Sequence, residues 1–288
     1  MWNKQLSLSR FLMLTFVGLW ISGCQVNNIN LTPLMDATKK SSDLFEKSLQ
    51  EEVELGQEIS LVLLKQASIY NVREVQHYVS SVGGWLAQHT ERAEIPWRFV
   101  VIRDDRFNAF ATPGGYIYIT TGTLSELNSE SELAGILAHE IAHVVQRHHL
   151  NAIRKEAQVG IAADLARFVR DSQDDSSGQT AVLGDHSLET KLLNSVQDIY
   201  SNGLARGDEL EADTMGMVIA ARAGYDPMSY ISVLQKIDAQ QADTGFWKGF
   251  TKRHPPASER LEALEKTALM LSELQGQVLT QRYKNVIR

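Results

Sequence analysis

Residues 129–145 read SESELAGILAHEIAHVV, and the rest of the chain is expected to be arranged around them. Ser129 followed by Glu132 is the pattern of a capping box at a helix N-terminus. The apolar residues after it recur every three or four positions, which is helical spacing; they are Leu133, Ile136, Leu137, Ile141, Val144 and Val145. The stretch therefore predicts one helix.

Two histidines of this helix, His139 and His143, are four residues apart, so both project from one face. Imidazoles at that spacing can each give a ring nitrogen to one zinc ion at about 2.0–2.1 Å. Glu140 lies roughly 100° further round the helix, where a general base beside the metal is needed. The alternative is a helix with structural histidines, although chance gives an H-E-x-x-H only about 0.02 times in such a chain.

A zinc site of this kind needs a third protein ligand, and two segments offer one. His149 falls where the pattern H-E-x-x-H-x-x-G-x-x-H puts its third histidine, but Gln146 replaces the glycine that turns the chain back. No helix breaker lies between Val144 and His149, so the helix is expected to continue and carry His149 roughly 9 Å along its axis. We therefore expect His148 and His149 to be surface or second-layer residues.

The second candidate lies in residues 204–217, LARGDELEADTMGM. Glu209 and Asp213 are four residues apart and share one helix face, whereas Glu211 points nearly the opposite way. One carboxylate can bind the metal while the other accepts a hydrogen bond from a ligand histidine and fixes its tautomer. The alternative is a solvated acidic face.

Three segments together resemble one family: HEIAH at 139–143, ELEAD at 209–213 followed by Gly216, and HPPASER at 254–260. They are similar to those of the HtpX and CAAX-prenyl-protease family of zinc endopeptidases (gluzincin type), and more narrowly to its soluble periplasmic lipoprotein members of the BepA and LoiP type. The resemblance covers about residues 55–271. It implies a mostly α (α+β) fold, a zincin-like metallopeptidase domain with a small β-sheet whose edge strand lines the active-site cleft.

The resemblance also implies roles for single residues. The ligands of one Zn²⁺ ion per chain would be His139, His143 and Glu209. Glu140 would be the catalytic base, and Asp213 would orient a ligand histidine from the second shell of the metal.

By the same resemblance, His254 and Arg260 would be catalytic residues at the rim of the active site, although a His-Pro-Pro loop alone also fits a structural turn. Two hypotheses arise for His254. It stabilises the oxyanion of the tetrahedral intermediate, or it takes the open zinc position and holds the resting enzyme inactive. A final helix is expected over about 257–274.

Three short strands are predicted directly before the histidine helix, over 97–103, 108–112 and 116–120. An exposed strand edge can bind an extended peptide through main-chain hydrogen bonds, and an unpaired edge beside a metal suggests substrate docking. The alternative is an ordinary hairpin. The sequence does not say which strand is the edge. The resemblance points to the second strand, with its substrate edge formed by Asn108, Ala109, Phe110 and Ala111.

Residues 1–23 have the pattern of a lipoprotein signal peptide, because Lys4 and Arg10 precede an apolar run too short to span a bilayer. Ile21-Ser-Gly-Cys24 resembles a lipobox, in which Cys24 is lipidated; the alternative is an ordinary secretory signal. Cys24 is the only cysteine, so no internal disulfide is possible. The predicted organisation is a membrane-proximal tether over 24–42 and a zinc metallopeptidase domain over 43–288. Gln25 favours the outer membrane by analogy with bacterial lipoproteins.

The net charge and the remaining segments limit the possible partners and the fold. A formal net charge of −7 argues against a nucleic-acid partner. Two or three helices are predicted before residue 90, with Gly83-Gly84 as an interruption or a close-packing site. After the histidine helix, helical segments are expected to about residue 170 and over 187–200, and the acidic stretch 171–180 is a surface loop or a lid.

Together these features predict a zinc-dependent metalloendopeptidase of periplasmic protein quality control, anchored by a lipid to the outer membrane. Its expected partners are unfolded or misassembled envelope polypeptides, outer-membrane proteins among them, and the membrane through Cys24. The alternative is a periplasmic chaperone or assembly factor for outer-membrane proteins, with a zinc site that is regulated or mostly silent. A zinc aminopeptidase fits less well, because no acidic anchor for a free amine is evident.

Overall fold

The computed structural model describes residues 48–64, 67–156, 159, 196, 198–239 and 253–287. The elements are, in order, α1 (Leu49–Leu63), β1 (Ser68–Ile69), α2 (Arg73–Ala87), β2 (Arg98–Arg103), β3 (Ala109–Thr112), β4 (Tyr116–Thr120), α3 (Thr121–Glu126), α4 (Glu130–Val145), α5 (Arg206–Arg222), α6 (Met228–Ala239), α7 (Ala257–Leu271) and α8 (Thr280–Ile287). Residues 148–156 and 198–202 are also helical. The expected mostly helical α+β class is confirmed.

The four strands form one mixed sheet in the order β1-β2-β4-β3. Strand β2 pairs antiparallel with β1 and parallel with β4, and β3 pairs antiparallel with β4. The turn between β3 and β4 contains Gly114 at φ 73°, and a Cβ there would lie 2.4 Å from the Cα of Val53 in α1. Only glycine fits this position, so the turn packs directly on α1. Among the described strands β3 is an edge, as the resemblance implied.

Helix α4 lies at the centre of the core. It begins as predicted, because the Ser129 hydroxyl accepts a hydrogen bond from the Glu132 N–H at 3.1 Å. Nearly all of its residues are buried, and Leu137 and Ile141 have no exposed surface. Helices α2, α5 and α6 and strand β3 all contact it. A helix buried on every side can hold polar side chains only where they have partners, which directs attention to its histidines and glutamates.

The expected continuation of α4 to His149 is wrong. The helix ends at Val145, and Arg147 takes a left-handed backbone conformation with φ 59°. Arg92 donates a hydrogen bond to the Val144 carbonyl at 3.1 Å, and the Arg147 side chain lies 3.6 Å from the Glu52 carboxylate. These contacts from α1 and the loop after α2 cap the helix end, although no local breaker is present.

Gly83 is a close-packing site inside the unbroken helix α2, because a Cβ there would lie 2.4 Å from the Phe99 ring. The two-residue strand β1 was not predicted. The helix expected to be final, α7, ends at Leu271 and is followed by α8. No helix in the described parts of the chain combines the length and apolarity needed to cross a membrane.

Candidate metal centre

Three side chains from two distant segments meet in the core. The His139 Nε2 and His143 Nε2 atoms are 3.1 Å apart. Glu209 places Oε2 at 3.7 Å from the first nitrogen and Oε1 at 3.7 Å from the second. All three residues are buried, and one potential ligand atom from each lies within 4.8 Å of the others.

Helix α5 can bring Glu209 to α4 because the two helices approach closely at a glycine. A Cβ on Gly216 would lie 3.0 Å from the N and Cα atoms of His139. Glu209, Asp213 and Gly216 are spaced four and three residues apart, so they share the face of α5 that meets α4. Glu211 points away, is 54% exposed, and accepts a hydrogen bond from Gln146. The sequence spacing therefore anticipated which acidic residues face the histidines.

The chemistry of this donor set fits zinc. The Nδ1 atom of His139 lies 2.9 Å from Asp213 Oδ1, so its Nε2 atom is left with the lone pair that can bind a metal. Burial, aided by the nearby histidines, lowers the pKa of His143 well below its ordinary value and keeps that ring neutral. Burial lowers the pKa of His139, but the hydrogen bond and charge of Asp213 raise it above its ordinary value, so a metal ion that binds there displaces a proton. Two imidazoles and a carboxylate are the three protein ligands of a catalytic zinc site. Two buried imidazole nitrogens directed at each other also favour a shared cation.

Glu140 lies next to these ligands without joining them. Its side chain is almost fully buried, and Oε1 has no hydrogen-bond partner among the described residues. Burial raises the pKa of Glu140 to about 7, with His139 lowering it and Glu209 raising it further. A carboxylate in this state can exchange a proton near neutral pH, as a general base requires.

Asp213 links the histidine to a buried arginine. Arg260 Nε lies 2.9 Å from Asp213 Oδ2 and Nη2 lies 2.6 Å from Oδ1. Burial raises the pKa of Asp213, but the charge and hydrogen bonds of Arg260, together with His139, hold it well below its ordinary value. Tyr230 donates a hydrogen bond to Asp213 at 2.7 Å and accepts one from Arg260 at 2.6 Å.

The expectation that Arg260 lies at the rim of the active site is wrong. Arg260 has no exposed surface, because α7 carries it beneath α5, where Asp213 neutralises it. Sequence reasoning also missed Tyr230. It lies among apolar residues of α6 and carries no signal that separates it from an ordinary core tyrosine.

His254 lies over the metal site. Its Nδ1 atom is hydrogen-bonded to Glu209 Oε2, and its ring centroid is 5.5 Å from that of His139. Burial raises the pKa of Glu209, but the charge and hydrogen bond of His254, and then His139, lower it to about 2. Glu209 is therefore ionised, as a metal ligand must be.

The change of backbone direction at Arg147, just after the end of α4, places the other two histidines near the site. His148 is buried in the second layer, where its Nδ1 atom lies 2.9 Å from His143 Nδ1. His149 stacks on the ring of Tyr200, with centroids 4.9 Å apart, and lines the same cavity as Glu140. Neither lies on the surface away from the site.

Strand β3 runs beside this cavity, which Ala109 and Phe110 line together with Glu140. The Thr120 N–H donates to the Asn108 carbonyl at 3.1 Å. Hydrogen-bonded pairs alternate along an antiparallel ladder, so the main-chain groups of Ala109 and Ala111 face away from β4.

The outward carbonyl of Ala111 is occupied, because the Tyr200 hydroxyl donates a hydrogen bond to it at 2.9 Å. The Phe110 ring meets the Tyr200 ring edge-on at 6.4 Å. Tyr200 therefore covers part of the strand edge that faces the metal site.

Several expectations lie outside the described residues. These are the signal peptide, Cys24 and the tether, the first residues of the predicted domain, the possible lid over 171–180, and most of the predicted helix over 187–200.

The site combines a helix that carries two histidines and a glutamate with a second helix that supplies a carboxylate, and an edge strand lies beside them. This combination defines the zincin class of metallopeptidase sites. The chain belongs to Peptidase family M48, whose sequence model matches residues 73–268.

Three relatives illustrate the match. The chain is 27% identical to the beta-barrel assembly-enhancing protease of Yersinia pestis over 220 residues. This matched region covers 74% of the present chain and 43% of that protein. The chain is 31% identical over 189 residues to the mitochondrial metalloendopeptidase OMA1 of Schizosaccharomyces pombe, covering 66% and 52%. It is 30% identical over 202 residues to a protease HtpX homolog of Methylibium petroleiphilum, covering 67% and 68%. The chain thus spans less than half the length of the assembly-enhancing protease.

Proposed function

We propose that this chain is a zinc-dependent metalloendopeptidase. The observation that carries the proposal is the convergence of His139, His143 and Glu209 in the core, beside Glu140, whose Oε1 atom has no hydrogen-bond partner within the described part of the chain. Membership of the peptidase family supports it.

The two histidines and Glu209 would hold the metal ion. When bound, zinc supplies a Lewis acid for the scissile carbonyl and for a water molecule. Glu140 accepts a proton from the attacking water and later passes it to the nitrogen of the leaving amine. Asp213 accepts a hydrogen bond from His139 Nδ1 and fixes the tautomer of that ring, while Arg260 keeps Asp213 ionised. The main chain of β3 aligns an extended peptide across the cleft.

The test combines metal content with digestion of an unfolded protein. Purified wild-type chain should contain zinc and cleave casein. Glu140→Gln keeps the shape and the ligands, so it should retain zinc and lose cleavage by orders of magnitude. His139→Ala should lose both. A Glu140→Gln variant that cleaves casein at the wild-type rate would contradict the role of the base.

We further propose that the substrates are unfolded or misassembled envelope proteins, outer-membrane proteins among them. The way in which a substrate would bind supports this proposal. A peptide that pairs with β3 as an added strand binds through main-chain hydrogen bonds and must be extended. The assembly-enhancing relatives are named for the assembly of beta-barrels, which agrees with it. Comparing cleavage of a purified outer-membrane protein in its unfolded and folded states tests it, and equal rates for both would contradict it.

Attachment to the periplasmic side of the outer membrane through a lipid on Cys24 is part of the same proposal. Its support is the lipobox-like sequence at residues 21–24. Radiolabelled palmitate should be incorporated by the wild type and not by Cys24→Ala. Labelling that is equal in both would exclude this anchor.

One feature favours the second candidate, a chaperone or assembly factor whose zinc site is regulated. His254 is hydrogen-bonded to Glu209, and the Tyr200 hydroxyl donates a hydrogen bond to the outward carbonyl of Ala111, so a candidate metal ligand and the strand edge are each engaged by a side chain of the same chain. Complementation of a deletion strain separates the two functions. Glu140→Gln should fail to complement if proteolysis is the function, and should complement if binding is.

A further inference from the structure

His143 contacts a second imidazole on the side of its ring that faces away from the candidate metal centre. Its Nε2 atom lies 3.1 Å from Nε2 of His139, and its Nδ1 atom lies 2.9 Å from Nδ1 of His148. The rings of His143 and His148 meet edge-on, with centroids 5.1 Å apart and planes at 73°. Both residues are buried. The contact is therefore part of the core and is shielded from water.

The backbone after α4 produces this contact. Arg147 leaves the helix with φ 59°, and its N–H donates a hydrogen bond to the Val144 carbonyl at 3.1 Å. The next helical segment begins at His148, and the Asn151 N–H donates to the Arg147 carbonyl at 2.8 Å. A straight continuation of α4 would put His148 roughly 140° round the helix from His143. The turn at Arg147 instead brings the two rings together.

Metal binding decides which ring of this pair donates the hydrogen bond. If Nε2 of His143 is a metal ligand, that atom carries the lone pair, and the proton of the neutral ring lies on Nδ1. His143 therefore donates, and Nδ1 of His148 accepts. The proton of His148 then lies on Nε2, which is 3.5 Å from Oε2 of Glu211. That distance exceeds an ordinary hydrogen bond and Glu211 is more than half exposed, so its carboxylate contributes little.

The two ligand histidines are thus oriented by acceptors of different charge. Nδ1 of His139 lies 2.9 Å from the carboxylate of Asp213, whose negative charge is balanced by Arg260. Nδ1 of His143 lies the same 2.9 Å from an imidazole, which is neutral when it accepts a hydrogen bond. A second buried carboxylate would need a second buried cation, whereas a neutral acceptor orients the ring without adding charge.

We propose that His148 is a positioning residue for the metal site, which accepts a hydrogen bond from Nδ1 of His143 and holds that ring with Nε2 directed at the metal. The inference rests on the proposed zinc-dependent function and adds a residue that lies outside the H-E-x-x-H pattern. A residue that only filled space after α4 would make no use of the position of its acceptor atom, and this difference can be tested.

The test compares two amide variants, His148→Asn and His148→Gln. The Oδ1 atom of asparagine is bonded to Cγ, as Nδ1 of histidine is, so it can accept from His143 at the same place. The oxygen of glutamine lies one carbon further out. His148→Ala should lower zinc affinity about 10–100-fold in a titration against a competing dye. His148→Asn should bind zinc about 10-fold more tightly than His148→Gln, because it regains one buried hydrogen bond.

Equal zinc affinity of the two amide variants would overturn the proposal. A difference of the same size in the unfolding free energy of the metal-free proteins would also overturn it, because His148 would then support only the fold. NMR of the ring nitrogens in the zinc-loaded chain gives a second readout. The proton should lie on Nδ1 of His143, and a proton on Nδ1 of His148 would contradict the proposal.

Casein digestion separates this proposal from the proposed function. If the wild type binds zinc but does not cleave casein, while His148→Asn binds zinc more tightly than His148→Gln, the endopeptidase function fails and the role of His148 stands. If the wild type cleaves casein and the two amide variants bind zinc equally, the role of His148 fails and the endopeptidase function stands.

Discussion

Replacing Arg260 by methionine removes the guanidinium that neutralises Asp213 and keeps a side chain of similar length. In the native chain Arg260 and Asp213 have no exposed surface, and two hydrogen bonds of 2.9 and 2.6 Å join them. After the substitution, the buried Asp213 carboxylate would retain two donors among the described residues, His139 and Tyr230. Removing one partner of such a pair leaves an uncompensated buried charge.

The expected cost is about 3–5 kcal/mol of unfolding free energy, the range for a broken buried ion pair. At roughly 2–4 °C per kcal/mol for a chain of this size, the melting temperature should fall by roughly 6–20 °C. Zinc affinity should also fall by about 10–100-fold, because Asp213 orients His139. The assays are thermal unfolding followed by circular dichroism in a chelator, and zinc titration with a competing dye.

The matched control is Arg222→Met. Arg222 pairs with Glu91 at 2.6 Å, but both side chains are more than half exposed. Its loss should cost no more than about 1 kcal/mol, as for surface pairs in general. If Arg260→Met lowers stability by no more than Arg222→Met, the Arg260–Asp213 pair does not support the site in the way described here.

Three further predictions follow from single contacts. Gly216→Ala should lower the free energy of unfolding by about 1–3 kcal/mol and weaken zinc binding, because the new Cβ would lie 3.0 Å from the backbone of His139. The control is Gly84→Ala, where a Cβ would meet nothing within 4 Å. It should raise the free energy of unfolding by about 0.5–1 kcal/mol in the same denaturation assay. Tyr200→Phe frees the Ala111 carbonyl and should raise kcat/KM for an unfolded peptide by about 2–10-fold, and an unchanged or lower value would refute the covering role. Burial raises the pKa of the Tyr78 hydroxyl to about 12, although Arg282 acts to lower it. The unfolded chain therefore loses this proton at lower pH than the folded chain does, and the free energy of unfolding should fall between pH 10 and 12. Tyr78→Phe should make that fall shallower in unfolding curves recorded across this pH range, and an equal slope in both proteins would contradict the prediction.

The metal-site residues could be predicted from sequence because their signals are local. His139 and His143, and Glu209 and Asp213, are each four residues apart, and helical geometry alone puts each pair on one face. The turn at Pro113 likewise separated two strands whose pairing follows from their closeness in the chain. What the spacing could not supply was the meeting of α4 with α5, which came only from the family resemblance.

The features that were missed depend on partners far along the chain. Arg260 was expected at the rim from the family resemblance, and its burial depends on Asp213, 47 residues earlier in the chain. The end of α4 depends on Arg92 and on Glu52, both outside that helix. Strand β1 is too short to show an alternating pattern, and it exists only because β2 offers it an edge.

The most direct test of the central claim is the zinc content of Glu209→Ala, measured by mass spectrometry of the metal after dialysis at low free zinc. Glu211→Ala is the matched control, since Glu211 lies on the same helix but on its exposed side. We expect one zinc ion per chain in the wild type and in Glu211→Ala, and little or none in Glu209→Ala. A Glu209→Ala variant that keeps one zinc ion and still cleaves casein would contradict the account.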